Sequence, residues 1–291
     1  MMRPILLCLT AVFLTTPLVA GEASGKFTAG GHKPIEPKFA SAYIVRDQFD
    51  ARNQIVEVIL SDVPIDTAQA VDALNPHANV INQDATHGHN YILLWIRKDG
   101  GVSMNATYSQ SMTQYLDKTG SGLLAELTAR TPSAVSGHVF TRAPVKTMSG
   151  ETYSVDVTFS SDVASLPSGQ KLGKGGGEPG KALKALVTAV SKRNWAGIAG
   201  GVTEATLASF NEDYRTPEEN LDDAAMSFTI WLPRKQLVIT GGELRGTDQA
   251  TLEVEGAAFG DQKGLYLVRM FKVGSKWLFD RGALAGMIGE N

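Results

Sequence analysis

Cysteine is almost absent from this chain, since Cys8 is the only one among 291 residues. Cys8 lies in an N-terminal apolar segment that we predict is removed, so the mature protein would contain no cysteine. Disulfide bonds, cysteine-ligated zinc, iron–sulfur clusters and thiol nucleophiles are therefore excluded. The fold must be held together by an apolar core, and a composition of 43% hydrophobic and 20% charged residues is ordinary for a globular protein.

A cluster of positive charge is also lacking. The formal net charge is −3, and the densest positive stretch, residues 171–184, is glycine-rich and spread out. A nucleic-acid-binding protein would carry a basic stripe, so nucleic acid is excluded as a partner. No later apolar run approaches the about 20 residues of a membrane-spanning helix, and we predict no membrane span.

The N-terminal segment MMRPILLCLTAVFLTTPLVAGEAS has the layout of a secretory signal peptide. Arg3 supplies a positive start, and residues 5–14 form an apolar core that only Thr10 interrupts. Small residues suited to cleavage follow at Ala20, Gly21 and Ala23.

We predict a signal peptide over residues 1–23, with cleavage before Ser24 and with cleavage after Ala20 or Gly21 nearly as favourable. The apolar core continues past Cys8, whereas a lipid-modified cysteine would stand at the cleavage point. The sequence therefore predicts a periplasmic or secreted protein without a lipid anchor.

A stretch rich in glycine, serine and proline divides the mature chain. It reads SLPSGQKLGKGGGEPGK over residues 165–181, and such a composition is typical of a flexible linker. We predict domains over residues 24–165 and 182–288, joined by a linker over residues 166–181. A phosphate-binding loop is the alternative, but Ala182 stands where that motif requires serine or threonine.

The first domain has the alternating apolar pattern of β-strands. In residues 55–60, Ile55, Glu57 and Ile59 alternate with Val56, Val58 and Leu60. Residues 91–96 are apolar throughout, and an Asp-Gly turn follows at residues 99–100. One short helix is predicted at residues 66–74. The pattern indicates an all-β sandwich or barrel of roughly seven to nine strands.

The second domain begins with helical periodicity. Apolar residues at Leu183, Leu186, Val187 and Val190 lie on one helical face, and residues 216–219 form an N-terminal capping sequence. Strands are predicted at residues 236–240, 250–256, 265–273 and 276–280. Helices followed by an antiparallel meander indicate an α+β domain.

Residues 179–284 resemble the NTF2-like superfamily in its small bacterial exported form. The resemblance is carried by four segments, namely the helix ending in KRNW at residues 192–195, ITGGELRGTDQATLEVEG, LYLVRMFKV and GSKWLFD. It implies a cone of helices on a curved antiparallel sheet, enclosing an apolar pocket. These segments describe a fold and contain no catalytic signature.

In the cone that this resemblance implies, Phe228, Trp231 and Trp277 lie in or near the pocket, and we predict them as ligand-binding residues. The predicted function is that of an exported, non-catalytic protein that binds an apolar small molecule or an envelope-protein partner, with no cofactor. An isomerase- or dehydratase-like enzyme is the alternative, because Asp280 or Tyr214 could serve as an acid or base in the pocket.

A second alternative is weak metal binding through the loop that contains His87 and His89. In an extended chain these two side chains point to the same face, and His77 or Asp84 could add a third ligand. Zinc requires three or four protein ligands, however, and Gly88 favours a turn. We therefore predict no metal site, only a loop that precedes a buried strand.

Overall fold

The computed structural model describes residues 20–47, 50–67, 71–83, 88–111, 113–147, 150–210, 217–258 and 262–289. Most of the predicted signal peptide lies outside these ranges. Within them, no helix combines the length and the apolar character needed to cross a membrane.

The strands of the first half form one large curled sheet, almost entirely antiparallel. They are β1 (Gly21–Ala29), β2 (Phe39–Arg46), β3 (Gln54–Ser61), β4 (Tyr91–Ile96), β5 (Val102–Tyr108), β6 (Thr113–Lys118), β7 (Leu123–Arg130), β8 (Ala134–Thr141), β9 (Val145–Lys146) and β10 (Thr152–Ala164). The order across the sheet is β6-β5-β4-β3-β2-β1-β10-β8-β7, and β9 pairs with β10 beside this path.

Aromatic side chains pack against one another inside this curled sheet. Phe27 on β1 is fully buried, and its ring centroid lies 5.5 Å from Tyr153, 5.6 Å from Tyr115 and 6.2 Å from Tyr108. Strands β5 and β6 are at one end of the sheet order, while β1 and β10 lie well toward the other. The sheet is therefore curled far enough for its distant strands to share one core.

Strand β3 is buried on both faces, because the short helix that follows it in the chain packs on the outer side of the sheet. Its residues Val56, Val58 and Leu60 belong to the inner core, whereas Ile55 and Ile59 pack in a second cluster on the outer face. That cluster includes Val80 from the short helix α1 (Pro76–Ile81). The Asn75 side chain caps α1 by accepting a hydrogen bond from the Ala78 amide.

The second half has a five-stranded antiparallel sheet in chain order. Its strands are β11 (Gln170–Leu172), β12 (Val238–Arg245), β13 (Gln249–Ala257), β14 (Lys263–Val273) and β15 (Lys276–Met287). The helices are α2 (Gly177–Ser191), α3 (Trp195–Ala199), α4 (Glu204–Ser209) and α5 (Pro217–Trp231). The helices pack on one face of the sheet, where Leu252, Val254, Val268 and Met270 belong to their common core.

The predicted fold class, an all-β domain followed by an α+β NTF2-like cone, is wrong. The chain is mostly β, with 49% strand and 18% helix, and its helices are short. The Phe228 ring lies 5.9 Å from that of Phe210 and 5.3 Å from that of Phe279, so helices and sheet meet in a common core. The helical periodicity predicted where helices occur, but it did not predict that strands make up most of the chain.

The glycine-rich stretch that predicts a flexible linker has ordered structure over much of its length. Strand β11 pairs with β12 through this stretch, and α2 begins within it. Gly175 and Gly176 have positive φ angles of 89° and 68°, which only glycine adopts without strain. A Cβ atom on Gly180 would lie 1.9 Å from the Gly175 carbonyl oxygen, so these glycines permit a tight turn into the helix.

We expect Gly180→Ala to destabilise the fold by about 1–3 kcal/mol, because the added methyl group has no room without a backbone shift. Gly173→Ala is the matched control, since nothing lies within 4 Å of a Cβ atom at that position. We expect this control to be neutral or slightly stabilising. Urea unfolding of both variants measures the difference, and equal stabilities would contradict the close approach.

Candidate binding cleft

A cleft of about 1530 Å³ lies between the two sheets. One wall is the outer face of the first sheet, with Glu57, Trp95 and Arg97, and His77 of α1 at its side. The opposite wall is the face of the second sheet that the helices leave uncovered, with Thr251 and other alternate residues of β13 and β14. Both halves of the chain therefore contribute residues to the cleft.

Direct contacts join the halves beside this cleft. The Ala51 amide donates a hydrogen bond to the Met287 carbonyl oxygen at 2.8 Å, and Ala51 packs in a small buried cluster with Leu265 and Ile288. The Arg46 guanidinium forms an ion pair with Glu253 across the two walls. The two walls are also joined by Asp72, which lies 4.0 Å from Arg245 and 3.8 Å from Arg269.

Glu57 is the most unusual residue of the cleft, because its carboxylate is buried and its side chain is only 1% exposed. The Trp95 indole N–H donates to Oε2 at 2.7 Å, and the Tyr43 hydroxyl donates to Oε1. The His77 Nδ1 atom lies 2.9 Å from both carboxylate oxygens. A buried carboxylate is tolerated when it is hydrogen-bonded in this way.

Sheet register brings this group together. Tyr43 on β2 and Trp95 on β4 are the cross-strand neighbours of Glu57 on β3, so the three side chains stand in a row on the outer face. His77 comes from α1, which covers part of this face. Burial, reinforced by the Glu57 charge, holds the pKa of the Tyr43 phenol far above its ordinary value, so Tyr43 remains a hydrogen-bond donor.

Two opposing effects act on the pKa of His77. Burial lowers it, while the hydrogen bond and the charge of Glu57 raise it, and the net result is a pKa above the ordinary 6.5. The ring is 38% exposed and lines the cleft. Its Nε2 atom has no hydrogen-bond partner among the residues that the structure describes.

We expect the contribution of His77 to stability to fall as the pH rises. A folded-state pKa above the unfolded value of about 6.5 means that the charged pair stabilises the fold fully below that value. The contribution is then lost as the pH passes through the raised folded pKa. Urea unfolding of the wild type and of His77→Gln should therefore differ most near pH 6 and less near pH 8. A difference that grows with pH would contradict this assignment.

Three arginines of the cleft are held in ion pairs. Arg97 lies 3.5 Å from Asp47, Arg245 lies 3.1 Å from Glu243, and Arg46 pairs with Glu253. Pairing fixes the planar guanidinium and carboxylate groups in place. The cleft therefore presents oriented donors and acceptors with little uncompensated charge on its arginines.

The three predicted ligand-binding residues lie elsewhere. Phe228 is 4% exposed, and Trp231 packs between Phe210 and Phe279 with ring distances of 5.8 Å. Trp277 is half-buried beside the same core. None of the three lines the cleft, and their role in binding stays a prediction.

The structure brings His77 to Glu57. His89 is 41% exposed, and its Nδ1 atom lies 3.4 Å from Asp62. His87 and Asp84 lie outside the described residues. Within the described part of the chain, no three histidine, cysteine or acidic side chains are grouped as metal ligands would be.

The predicted alternative acid or base, Asp280, has a structural partner. Arg269 donates from Nε to its carboxylate at 2.8 Å, and the side chain is 17% exposed. The Thr203 hydroxyl lies 3.4 Å from the other carboxylate oxygen. Tyr214, the other candidate, lies outside the described residues.

Glu57 can be recognised in the sequence as the charged residue of an apolar strand. In IVEVIL, residues 55–60, both alternating sets are apolar except for this one carboxylate. A strand that is apolar on both faces is buried on both faces, so its only charged residue must find partners inside. Trp95 in YILLWI is the half-buried residue opposite it.

No protein-family model matches this chain, and comparisons with curated proteins and with solved structures give no significant match. Function must therefore be argued from the cleft itself.

Proposed function

We propose that this protein is an exported, non-catalytic binding protein whose ligand occupies the cleft between the two sheets. The observation that carries the proposal is the cleft of about 1530 Å³ with side chains from both sheets in its walls. Binding sites for small molecules usually span about 300–1,000 Å³, so this cleft has room for an extended ligand of several units.

The chemistry of the walls favours a polar ligand over an apolar one. Arg97 pairs with Asp47, and Arg245 pairs with Glu243. A wholly apolar ligand would displace water from these charged groups without replacing its hydrogen bonds. The apolar ligand of the second half and the envelope-protein partner remain separate predictions.

Ligand retention tests the proposal. The purified protein is incubated with a small-molecule extract of its native envelope, separated by gel filtration and examined by native mass spectrometry. We expect a bound molecule on the wild type and none on Thr251→Trp, which places a large side chain in the cleft. Thr229→Trp is the matched control, because Thr229 is exposed on α5 and does not line the cleft.

Retention of a molecule by the wild type and Thr229→Trp, with loss in Thr251→Trp, supports the proposal. Equal retention by all three proteins would place the ligand elsewhere. Failure of the wild type to retain any molecule would count against a binding function.

Export is the second part of the proposal, and we expect the mature chain to begin at Gly21. Strand β1 pairs with β2 and β10 from Gly21 and Glu22 onward, and the Ala23 amide donates to the Lys38 carbonyl oxygen at 3.1 Å. Cleavage before Ser24 would remove these contacts. N-terminal sequencing of the native periplasmic protein checks this, and a chain that retains Cys8 would refute export by a signal peptide.

An acid–base enzyme is a second candidate, favoured by the contact between His77 and Glu57. A carboxylate that fixes one imidazole nitrogen while the other faces a cleft is the arrangement of a general base. The test is turnover of chromogenic ester and glycoside panels by the wild type and by His77→Asn. Absence of turnover by the wild type would end this candidate.

A further inference from the structure

We propose that the ligand of the cleft is a neutral oligosaccharide, which stacks on Trp95 and hydrogen-bonds to His77 beside it. The inference rests on the proposed function, since it assigns a chemical class to the ligand of the same cleft. Three observations carry it, namely the orientation of Trp95, the Nε2 atom of His77, which has no hydrogen-bond partner among the described residues, and the pairing of the arginines in the walls.

Trp95 presents carbon atoms to the cleft. Its only polar side-chain atom, Nε1, donates to the buried Glu57 at 2.7 Å, and its strand is paired on both sides. The residue is nevertheless half-buried and lines the cleft, so its exposed part is apolar ring surface. A sugar ring has one face made mainly of C–H groups, and such a face packs on an indole through apolar contact.

His77 lies next to this ring surface. The two ring centroids are 6.4 Å apart with an interplanar angle of 44°, and Nδ1 of His77 is engaged by Glu57. The Nε2 atom is the remaining polar atom of the ring, and it accepts a hydrogen bond when neutral and donates one when protonated. A hydroxyl group can do either, so it suits Nε2 in both states.

The pairing of the arginines in the walls favours a neutral ligand over an acid. Eight lysine and arginine residues line the cleft against six aspartate and glutamate residues, so a small positive excess remains, but Arg46, Arg97 and Arg245 are each paired with a carboxylate. An anion would have to separate these pairs in order to use the guanidinium groups. Hydroxyl groups can instead bond to the donor and acceptor positions that the pairs leave free.

An adjoining crevice of about 910 Å³ extends the same kind of surface. It shares Asp72 and Asn75 with the cleft and adds the amide side chains of Asn79 and Asn82. Amides carry both donors and acceptors without charge, which suits further sugar units beyond the one on Trp95. The inferred ligand is therefore an oligomer rather than a single sugar.

Isothermal titration calorimetry with defined probes tests the inference. The neutral probes are maltotriose, cellotriose, xylotriose and tri-N-acetylchitotriose, and the acidic probe is trigalacturonate. We expect at least one neutral trisaccharide to bind the wild type at millimolar concentration or below. Trp95→Leu should weaken that binding about tenfold or more, because it removes the flat ring surface.

Three further variants separate stacking from a general loss of structure. Trp95→Phe retains a flat ring without the indole N–H, and should bind within about threefold of the wild type, since stacking is retained. His77→Gln should weaken binding less than Trp95→Leu does. Trp195→Leu changes a tryptophan of the second core that does not line the cleft, and should bind as the wild type does.

The possible outcomes distinguish this inference from the proposed function. If an envelope molecule is retained in the cleft but none of the neutral trisaccharides binds, the sugar assignment is wrong and the binding function stands. Tighter binding of trigalacturonate than of every neutral probe would overturn the neutral class. Sugar binding that is unchanged in folded Trp95→Leu would overturn the site. If neither sugars nor envelope molecules bind, both proposals fall.

Discussion

Replacing Glu57 by alanine is expected to lower the free energy of unfolding by roughly 3–5 kcal/mol. The carboxylate accepts hydrogen bonds from the Tyr43 hydroxyl and the Trp95 indole, and it also holds His77. Each buried donor left without an acceptor costs about 1–3 kcal/mol. The lost side chain also leaves a space beneath α1.

Glu57→Gln should cost clearly less than Glu57→Ala, because the amide oxygen can still accept a hydrogen bond from one donor. Glu126→Ala is the control for a glutamate on an exposed strand position of the same sheet, and we expect a change within about 0.5 kcal/mol. Urea unfolding followed by fluorescence measures all three. A loss below about 1 kcal/mol for Glu57→Ala would show that the cluster does not stabilise the sheet.

The strands of the first half were predictable because they depend on local alternation. The apolar run Tyr91–Ile96 is confirmed as β4, with its central residues buried. The predicted helix at residues 66–74 lies partly outside the described residues. Helix α1 at Pro76–Ile81 was not predicted, because its six residues contain too little periodicity.

The assembly of these strands was not predictable from the same patterns. Strand β1 pairs with β10 along most of its length, for example Phe27 with Val155, and the two partners are separated by more than a hundred residues. Alternation shows which face of a strand is apolar, but it does not identify the neighbouring strand. The predicted fold class is wrong for a related reason, because sequence patterns identify helices and strands but not their arrangement.

The candidate site was missed because it lies between the two halves. Arg46 and Glu253 face each other across the cleft, and no local pattern relates two residues so distant in sequence. The burial pattern of β13 places Leu252 and Val254 in the core and Glu253 and Glu255 on the opposite face. A polar face is expected to meet solvent, and here it forms a wall of the cleft instead.

Replacing Phe27 by alanine is the second change for which we expect a large loss, about 3–5 kcal/mol. The ring is fully buried and packs against Tyr108, Tyr115 and Tyr153. Its removal leaves a cavity between strands that are distant in the sheet order, where the curled backbone has little freedom to collapse. The loss in free energy of unfolding should therefore be larger than that for replacing an aromatic residue by alanine on an edge strand.

Tyr108→Phe is the matched control, because it changes one atom of the same cluster. The Tyr108 hydroxyl is buried and has no hydrogen-bond partner in the described part of the chain, and burial raises the pKa of this phenol to about 12. Removing an unpaired buried hydroxyl should leave the stability unchanged or slightly higher. Urea unfolding of both variants tests the packing, and the curl of the sheet would not depend on this cluster if Phe27→Ala were as stable as Tyr108→Phe.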